Sequence, residues 1–206
     1  MKGLGSLFTM AAMAVALVFC ASDAYAQGRA ARPAQGTPVK IKGITGLKNT
    51  GLMAAPQFDA KVKSPNRNSG RNKRWSAVEV EYLTAPEWLD EATFTFHVLS
   101  RDAKGGFHYF TTTVTYINIA KGEHGACVML PPNVVARYGL PTAVGVEIEI
   151  DGEVVAADSD GSAKKGAWWD KLDTLGEKLM QHPELLVDRS KTPFGITFTD
   201  EYEVVR

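Results

Sequence analysis

Cysteine is scarce in this 206-residue sequence, which contains only Cys20 and Cys127. Cys20 lies in an N-terminal segment that we expect to be removed, so the mature chain keeps one thiol. A single cysteine cannot form an internal disulfide framework, and the fold must therefore be stabilised by packing alone. We expect Cys127 to be a small buried residue on a strand; an intermolecular disulfide and a reactive thiol are the alternatives.

Motifs for catalysis and cofactor binding are also missing. The sequence has no Gly-x-Ser-x-Gly elbow and no glycine-rich phosphate loop after a strand. It has four histidines, none in His-x-His or His-Glu-x-x-His spacing: His97, His108, His124 and His182. We therefore predict that the protein is not an enzyme, with no catalytic residues, no cofactor and no metal site.

Two segments resemble metal sites, but each lacks a required ligand. His97 and His108 could approach each other across a hairpin, but the sequence supplies no third ligand. The segment Asp158-Ser159-Asp160-Gly161 resembles a calcium loop, yet Trp169 stands where a bidentate glutamate would be needed. We interpret this segment as a solvated turn.

Long apolar runs are absent except near the N-terminus. Lys2 precedes an apolar run from Leu7 to Phe19, and Ala24-Tyr25-Ala26 follows it. This order predicts a signal peptide over residues 1–26, cleaved before Gln27. The run is shorter than the roughly 20 residues that a permanent membrane helix needs.

Export is therefore the expected fate of the chain, to the periplasm, the outer-membrane periphery or the cell surface. A lipoprotein anchored through Cys20 is the alternative, but bulky Phe19 precedes that cysteine where a small residue is usual. We expect the mature protein to be at most peripheral to the membrane.

Charge of one sign dominates each part of the chain, although the formal net charge is zero. Residues 27–78 contain eleven Lys and Arg residues and one acid, whereas residues 79–206 contain eleven basic and twenty-one acidic residues. Such asymmetry suits an acidic partner surface or self-association, or it is neutralised within one molecule.

A cluster of six basic residues leads into a tryptophan and forms the main candidate binding site: Lys61, Lys63, Arg67, Arg71, Lys73, Arg74 and Trp75. Export disfavours nucleic acid as its partner, so we expect an anionic glycan, a lipid phosphate or the acidic face of a protein. The alternative interpretation is a hydrated loop that its charges keep soluble.

The rest of the mature chain predicts strands. Residues 27–37 are typical of a flexible basic tether, and from residue 38 short alternating segments recur between turn signals. Asp102–Gly106 predicts a hairpin loop, Asp151-Gly152 a type I′ turn, and residues 194–198 a closing strand. We therefore predict an antiparallel immunoglobulin-like β-sandwich over residues 38–206.

A C-terminal amphipathic helix is expected over residues 167–180. Trp168, Leu172, Leu175 and Leu179 fall on one helical stripe, and Trp169 lies beside it. Packing of the stripe on the parent sheet is one interpretation. The other makes Trp168 and Trp169 part of a binding site, with Trp169 an exposed anchor for a partner.

The segment Leu185-Leu186-Val187-Asp188-Arg189-Ser190-Lys191-Thr192-Pro193-Phe194, followed by Tyr202, resembles a closing motif of exported verrucomicrobial proteins. With the leader and the strand-rich middle, the mature chain resembles the small exported immunoglobulin-like proteins of a type IV pilus-like locus in Akkermansia. The resemblance implies a non-enzymatic β-sandwich that assists or anchors a pilus-like assembly. It carries over no catalytic residues.

The leading hypothesis is therefore an exported interaction module of the cell envelope whose partners are envelope or pilus-like proteins. A glycan-binding sandwich that uses Trp75 or Trp169 is the second hypothesis. A hydrolase whose site assembles from distant residues is the third.

Overall fold

The computed structural model describes residues 38–56, 74–163, 166–197 and 202–206. The expected signal peptide, the tether and most of the basic cluster lie outside these residues. The described strands are Val39–Thr45 (β1), Leu52–Ala54 (β2), Arg74–Thr84 (β3), Leu89–Arg101 (β4), Phe107–Ile119 (β5), Gly122–Leu130 (β6), Pro141–Ile150 (β7), Glu153–Gly161 (β8), Leu179–Gln181 (β9), Val187–Asp188 (β10) and Val204–Val205 (β11). One α-helix, Pro132–Tyr138 (α1), and two 3₁₀ helices, Trp168–Lys178 and Arg189–Lys191, complete the fold.

These strands form two facing sheets, as the predicted β-sandwich requires. Sheet A has the order β1-β3-β6-β10, with β2 also paired to β3, and its pairs are antiparallel. Sheet B has the order β11-β5-β4-β7-β8, and the short strand β9 runs parallel along β5. The prediction of a mainly β, immunoglobulin-like sandwich is confirmed.

The core lies between the sheets and follows the alternation seen in the sequence. On β4, Phe94 and Phe96 are fully buried, whereas Thr93 and Thr95 on the other face are only half-buried. Sheet A contributes Tyr82, whose ring packs 4.9 Å from that of Phe94. Burial of such large side chains supplies most of the favourable free energy of folding.

Two predicted turns are confirmed by their backbone geometry. Asp102 Oδ1 accepts the backbone N–H groups of Lys104 at 2.9 Å and Gly106 at 2.8 Å, which closes the hairpin between β4 and β5. Asp151 and Gly152 have φ angles of 53° and 80°, as both central residues of a type I′ turn require.

A helix is present where the amphipathic helix over residues 167–180 was expected, but its type and its end differ. The chain instead forms a 3₁₀ helix over Trp168–Lys178, and Leu179–Gln181 then pairs with β5. Gly176 weakens helical structure, and the edge of β5 offers backbone hydrogen bonds to the residues that follow. No helix in the described ranges is both long and apolar enough to span a membrane.

The expected closing strand over residues 194–198 is also wrong, as far as its residues are described. Phe194–Thr197 forms turns, in which the Gly195 N–H donates to the Thr192 carbonyl and the Thr197 N–H to the Phe194 carbonyl. These local bonds replace a strand ladder, and Ile196 is left 69% exposed. The chain closes instead through β11, which pairs with Ile117 and Tyr116 of β5.

Candidate functional site

The basic cluster is described only at its C-terminal end. Lys61, Lys63, Arg67, Arg71 and Lys73 lie outside the described residues. Arg74 is exposed as the first residue of β3, opposite Ala54 of β2. The predicted use of this cluster in binding therefore stays a prediction.

Trp75, the aromatic residue of that cluster, is packed against the protein. Its ring meets the ring of Phe194 edge to face, with 6.0 Å between centroids. Both residues belong to a cluster on the outer face of sheet A with Ala77, Cys127 and Met129. Trp75 is therefore a half-buried packing residue, and its use in binding stays a prediction.

The C-terminal motif forms this outer layer of sheet A. Arg189 Nη1 donates hydrogen bonds of 2.6 Å to the carbonyl oxygens of Phe194 and Thr197. The Arg189 guanidinium carbon lies 3.9 Å from the centroid of the Tyr202 ring, and the Tyr202 hydroxyl donates to Glu79 Oε1 at 2.9 Å. We call residues 188–197 with Tyr202 the C-terminal clasp. Its contacts are structural.

Cys127 lies beneath this layer and is 3% exposed. Burial raises the pKa of its thiol to about 12. A thiol that stays protonated is a poor nucleophile. The expectation of a small buried strand residue is confirmed, and the alternative of a reactive thiol is wrong.

Trp169 is 7% exposed, so its predicted role as an exposed anchor is wrong. Its ring stacks on His97, with 4.5 Å between centroids and 2° between planes. Gly145 on β7 makes room for it, since a Cβ there would lie 2.1 Å from Trp169 Cζ3. Trp168 is half-buried and meets Tyr109 edge to face. The tryptophan pair thus covers part of the outer face of sheet B.

Beside Trp169, His97 connects a phenol and a carboxylate. The Tyr109 hydroxyl lies 2.6 Å from His97 Nδ1, and His97 Nε2 lies 3.3 Å from Glu147 Oε2. With Nε2 carrying the proton, His97 donates to Glu147 and accepts from Tyr109. The hydrogen bond from His97 lowers the pKa of Glu147. This arrangement fixes the ring on which Trp169 stacks.

The proposed approach of His97 to His108 is wrong. His97 pairs with Thr111 across the β4–β5 ladder, and His108 pairs with Ser100. The strand register separates the two histidines and gives them different partners. Among the described residues, no group of three or more His, Cys, Asp or Glu side chains is placed to hold a metal ion.

The calcium-like segment is part of a strand, so its interpretation as a solvated turn is also wrong. Asp158 and Asp160 lie on β8. Asp158 Oδ1 accepts the N–H of Ser159 at 2.8 Å, and Asp160 Oδ1 accepts the N–H of Gly161 at 2.7 Å. Each carboxylate thus accepts a hydrogen bond from the backbone N–H of the residue that follows it.

His108 forms a second polar cluster that the sequence analysis missed. The ring is 2% exposed, with Nε2 3.2 Å from Asp102 Oδ2 and Nδ1 3.1 Å from His182 Nε2. It borders a cavity of about 370 Å³, which we call the histidine cavity. Its wall is completed by residues of the hairpin, α1 and β9: Ala103, Lys104, Arg137, Tyr138 and Met180. Only the fold brings these separate segments together.

A threonine ladder on the outer face of sheet B was also missed as a candidate surface. The hydroxyls of Thr93 and Thr115 lie 3.1 Å apart, and those of Thr95 and Thr113 lie 3.2 Å apart. The neighbouring strand β7 places Glu149 opposite Thr93 and Glu147 opposite Thr95. We call these four threonines and two glutamates the threonine face. The signal in the sequence is the Thr-x-Thr spacing on two adjacent strands.

Comparison with known proteins finds a matching family model and a solved structure of similar fold. A family model matches residues 33–206 of the chain. A crystal structure of a protein from Akkermansia muciniphila is similar, with a TM-score of 0.64 and 19% sequence identity, over 82% of this chain and 92% of that one. At this identity the structural likeness shows the fold alone. No curated protein matches the chain.

Proposed function

We propose that this chain, a member of the family whose model matches residues 33–206, is an exported, non-enzymatic interaction module of the cell envelope. In this role it assists or anchors a pilus-like assembly from the periplasm or the outer-membrane periphery. The resemblance of the chain to the small immunoglobulin-like proteins of a type IV pilus-like locus in Akkermansia supports the proposal.

The threonine face is the observation that carries the proposal. Much of the outer surface of both sheets is occupied by the chain's own C-terminal segments, the clasp on sheet A and the tryptophan pair on sheet B. Next to the tryptophan pair, Thr113 and Glu149 are exposed, and Thr93, Thr95 and Thr115 are half-buried. A flat row of short hydroxyl side chains allows another protein surface to approach the sheet closely.

Charge defines the kind of partner that fits this face. Glu147 and Glu149 give it a negative border, while the Lys61–Arg74 stretch supplies six cations. A partner surface rich in Lys and Arg would therefore be attracted to it, and a second copy of the chain carries such a stretch. The contact should weaken at high salt, because interactions between exposed charges are screened.

The test is affinity capture of envelope proteins by the mature chain carrying a tag. Thr113→Arg places a bulky cation on the threonine face, and Asn133→Arg places the same side chain on α1 as a matched control. Both positions are exposed, so both variants should fold. We expect the wild-type chain and Asn133→Arg to capture a protein of the pilus-like locus and Thr113→Arg to lose it.

Two results would overturn the proposal. One is the absence of any protein of the pilus-like locus from the wild-type capture at low salt. The other is equal capture by Thr113→Arg and Asn133→Arg, which would exclude the threonine face as the contact surface.

A further inference from the structure

The histidine cavity is built from four separate elements. The β4–β5 hairpin contributes Lys104, β5 contributes His108, α1 contributes Arg137 and Tyr138, and β9 leads into His182. Its volume of about 370 Å³ can hold a small organic molecule. The fold thus keeps open a recess whose walls carry several titratable groups.

One wall of the cavity is aromatic. The ring of Tyr138 lies 4.5 Å from His108 and 4.5 Å from His182, measured between centroids. Phe110 backs His182 at 5.3 Å, and Met180 at the rim is 47% exposed. An apolar body of a ligand would find contact along this wall.

The charge available to a ligand in the cavity is positive. Asp102 is the acid of the lining, and its two oxygens already accept the N–H groups of Lys104 and Gly106 and the Nε2–H of His108. These bonds, that from His108 first, lower the pKa of Asp102, so it stays ionised and paired. Lys104 and Arg137 are exposed cations at the cavity wall.

The histidine pair leaves one nitrogen available. Since His108 Nε2–H donates to Asp102, His108 Nδ1 accepts from the Nε2–H of His182. The other nitrogen of His182, Nδ1, has no hydrogen-bond partner among the residues that the structure describes. When His182 is protonated, this Nδ1–H becomes a charged donor that the chain itself leaves unused.

We propose that the histidine cavity binds a compact organic anion, whose carboxylate, sulfate or phosphate group is held by Arg137, Lys104 and His182 and whose apolar body rests on Tyr138 and Met180. Arginine and lysine are suited to such oxyanions because their charged N–H groups form short hydrogen bonds with them. This site is separate from the threonine face, so its failure would leave the proposed function untouched.

Binding should depend on pH in a defined direction. In the empty cavity, burial first, and then the electrostatic influence of His108 and Arg137, lower the pKa of His182. The empty cavity therefore favours neutral His182. A bound anion has the opposite effect and favours protonated His182. The affinity for an anion that does not itself titrate should therefore rise as pH falls from about 8 to about 6. The other charged groups at the cavity are Asp102, Lys104 and Arg137, and His108 is the titratable ring that contacts His182.

The experiment follows the imidazole Cε1–H resonances of the mature chain by NMR during titration. The probes are phenyl sulfate and benzoate, which separate an ester-type anion from a carboxylate, and neutral benzyl alcohol is the control for ring binding alone. We expect at least one anion to shift the His182 resonance saturably, and more tightly at the lower pH. Benzyl alcohol should shift it far less.

Two variants assign the binding to the named residues. Arg137→Gln should weaken anion binding about tenfold, as the loss of one charge-assisted hydrogen bond predicts, while Lys121→Gln at the exposed β5–β6 turn should leave it unchanged. His182→Gln should abolish the pH dependence. The proposal fails if neither anion gives a saturable shift, if benzyl alcohol binds equally, or if Arg137→Gln and Lys121→Gln behave alike.

Discussion

At the scale of single residues, the packing of Trp169 depends on Gly145. A methyl group at Gly145 would overlap the Trp169 ring, with 2.1 Å between Cβ and Cζ3. We expect Gly145→Ala to displace the ring from its stack on His97 and to lower the free energy of unfolding by about 1–3 kcal/mol. Chemical denaturation followed by tryptophan fluorescence measures both effects.

Gly43→Ala is the matched control for this substitution. Gly43 lies on β1, and a Cβ there would meet no heavy atom within 4 Å. Its effect on the free energy of unfolding should stay within about 0.5 kcal/mol. Equal destabilisation by the two substitutions would show that Gly145 is not special.

Glu147 makes the stability of the fold depend on pH. The hydrogen bond from His97 lowers the pKa of Glu147 in the folded protein. A carboxyl group with a lowered folded pKa stabilises the fold above its unfolded pKa, and that stabilisation is lost as pH falls through the folded pKa. We therefore expect Glu147→Gln to reduce the loss of stability below about pH 4.5.

Urea denaturation at a series of acidic pH values measures this effect. Glu149→Gln, two positions along the same strand on an exposed residue, is the control and should follow the wild-type curve. Identical curves for Glu147→Gln and wild type would contradict the assignment.

Sequence alternation predicted which strand residues face the core but not what covers the outer faces. Phe94 and Phe96 follow this alternation, because neighbours on one strand decide their orientation. Trp169 was misassigned because its burial depends on Gly145, which lies on β7, and on His97, which lies on β4. Such a contact has no local signature.

At the scale of elements, the C-terminal clasp depends on Arg189. Removing the guanidinium leaves the Thr197 carbonyl without this donor and takes one of several donors from the Phe194 carbonyl. It also removes the contact with the Tyr202 ring. We expect Arg189→Ala to lower the free energy of unfolding by about 2 kcal/mol. Thermal and urea denaturation measure the loss.

Lys191→Ala, in the same 3₁₀ turn, is the control. Lys191 is exposed, so its removal should change stability by less than about 0.5 kcal/mol. If Arg189→Ala were as stable as Lys191→Ala, the clasp would not contribute to the fold.

Elements that depend on local residues could be predicted from the sequence, whereas elements that depend on distant pairing could not. The Asp151-Gly152 turn was predictable because its two residues alone favour positive φ angles. The segment Leu179–Gln181 was not, because its strand exists only through pairing with Phe107–Tyr109. The Asp102–His108–His182 chain of the histidine cavity was missed for the same reason, since β9 and its pairing deliver His182.

At the scale of the whole molecule, export is the first property to test. We expect the mature chain to begin at Gln27, because Ala24-Tyr25-Ala26 fits the small residues that signal peptidase needs. Mass spectrometry of the protein recovered from the envelope measures the N-terminus. Ala26→Arg should block processing, whereas Gln27→Asn should leave it unchanged. A wild-type chain that keeps residues 1–26 would contradict the prediction.

In the proposed function, the protein works through contacts made by its threonine face. Site-specific photo-crosslinking in living cells tests it most directly, with the photoreactive residue at position 113 and, as control, at position 133. We expect a crosslink from position 113 to a protein of the pilus-like locus or to a second copy of the chain, and none from position 133. Absence of a specific crosslink at position 113, or the same products from both positions, would contradict it.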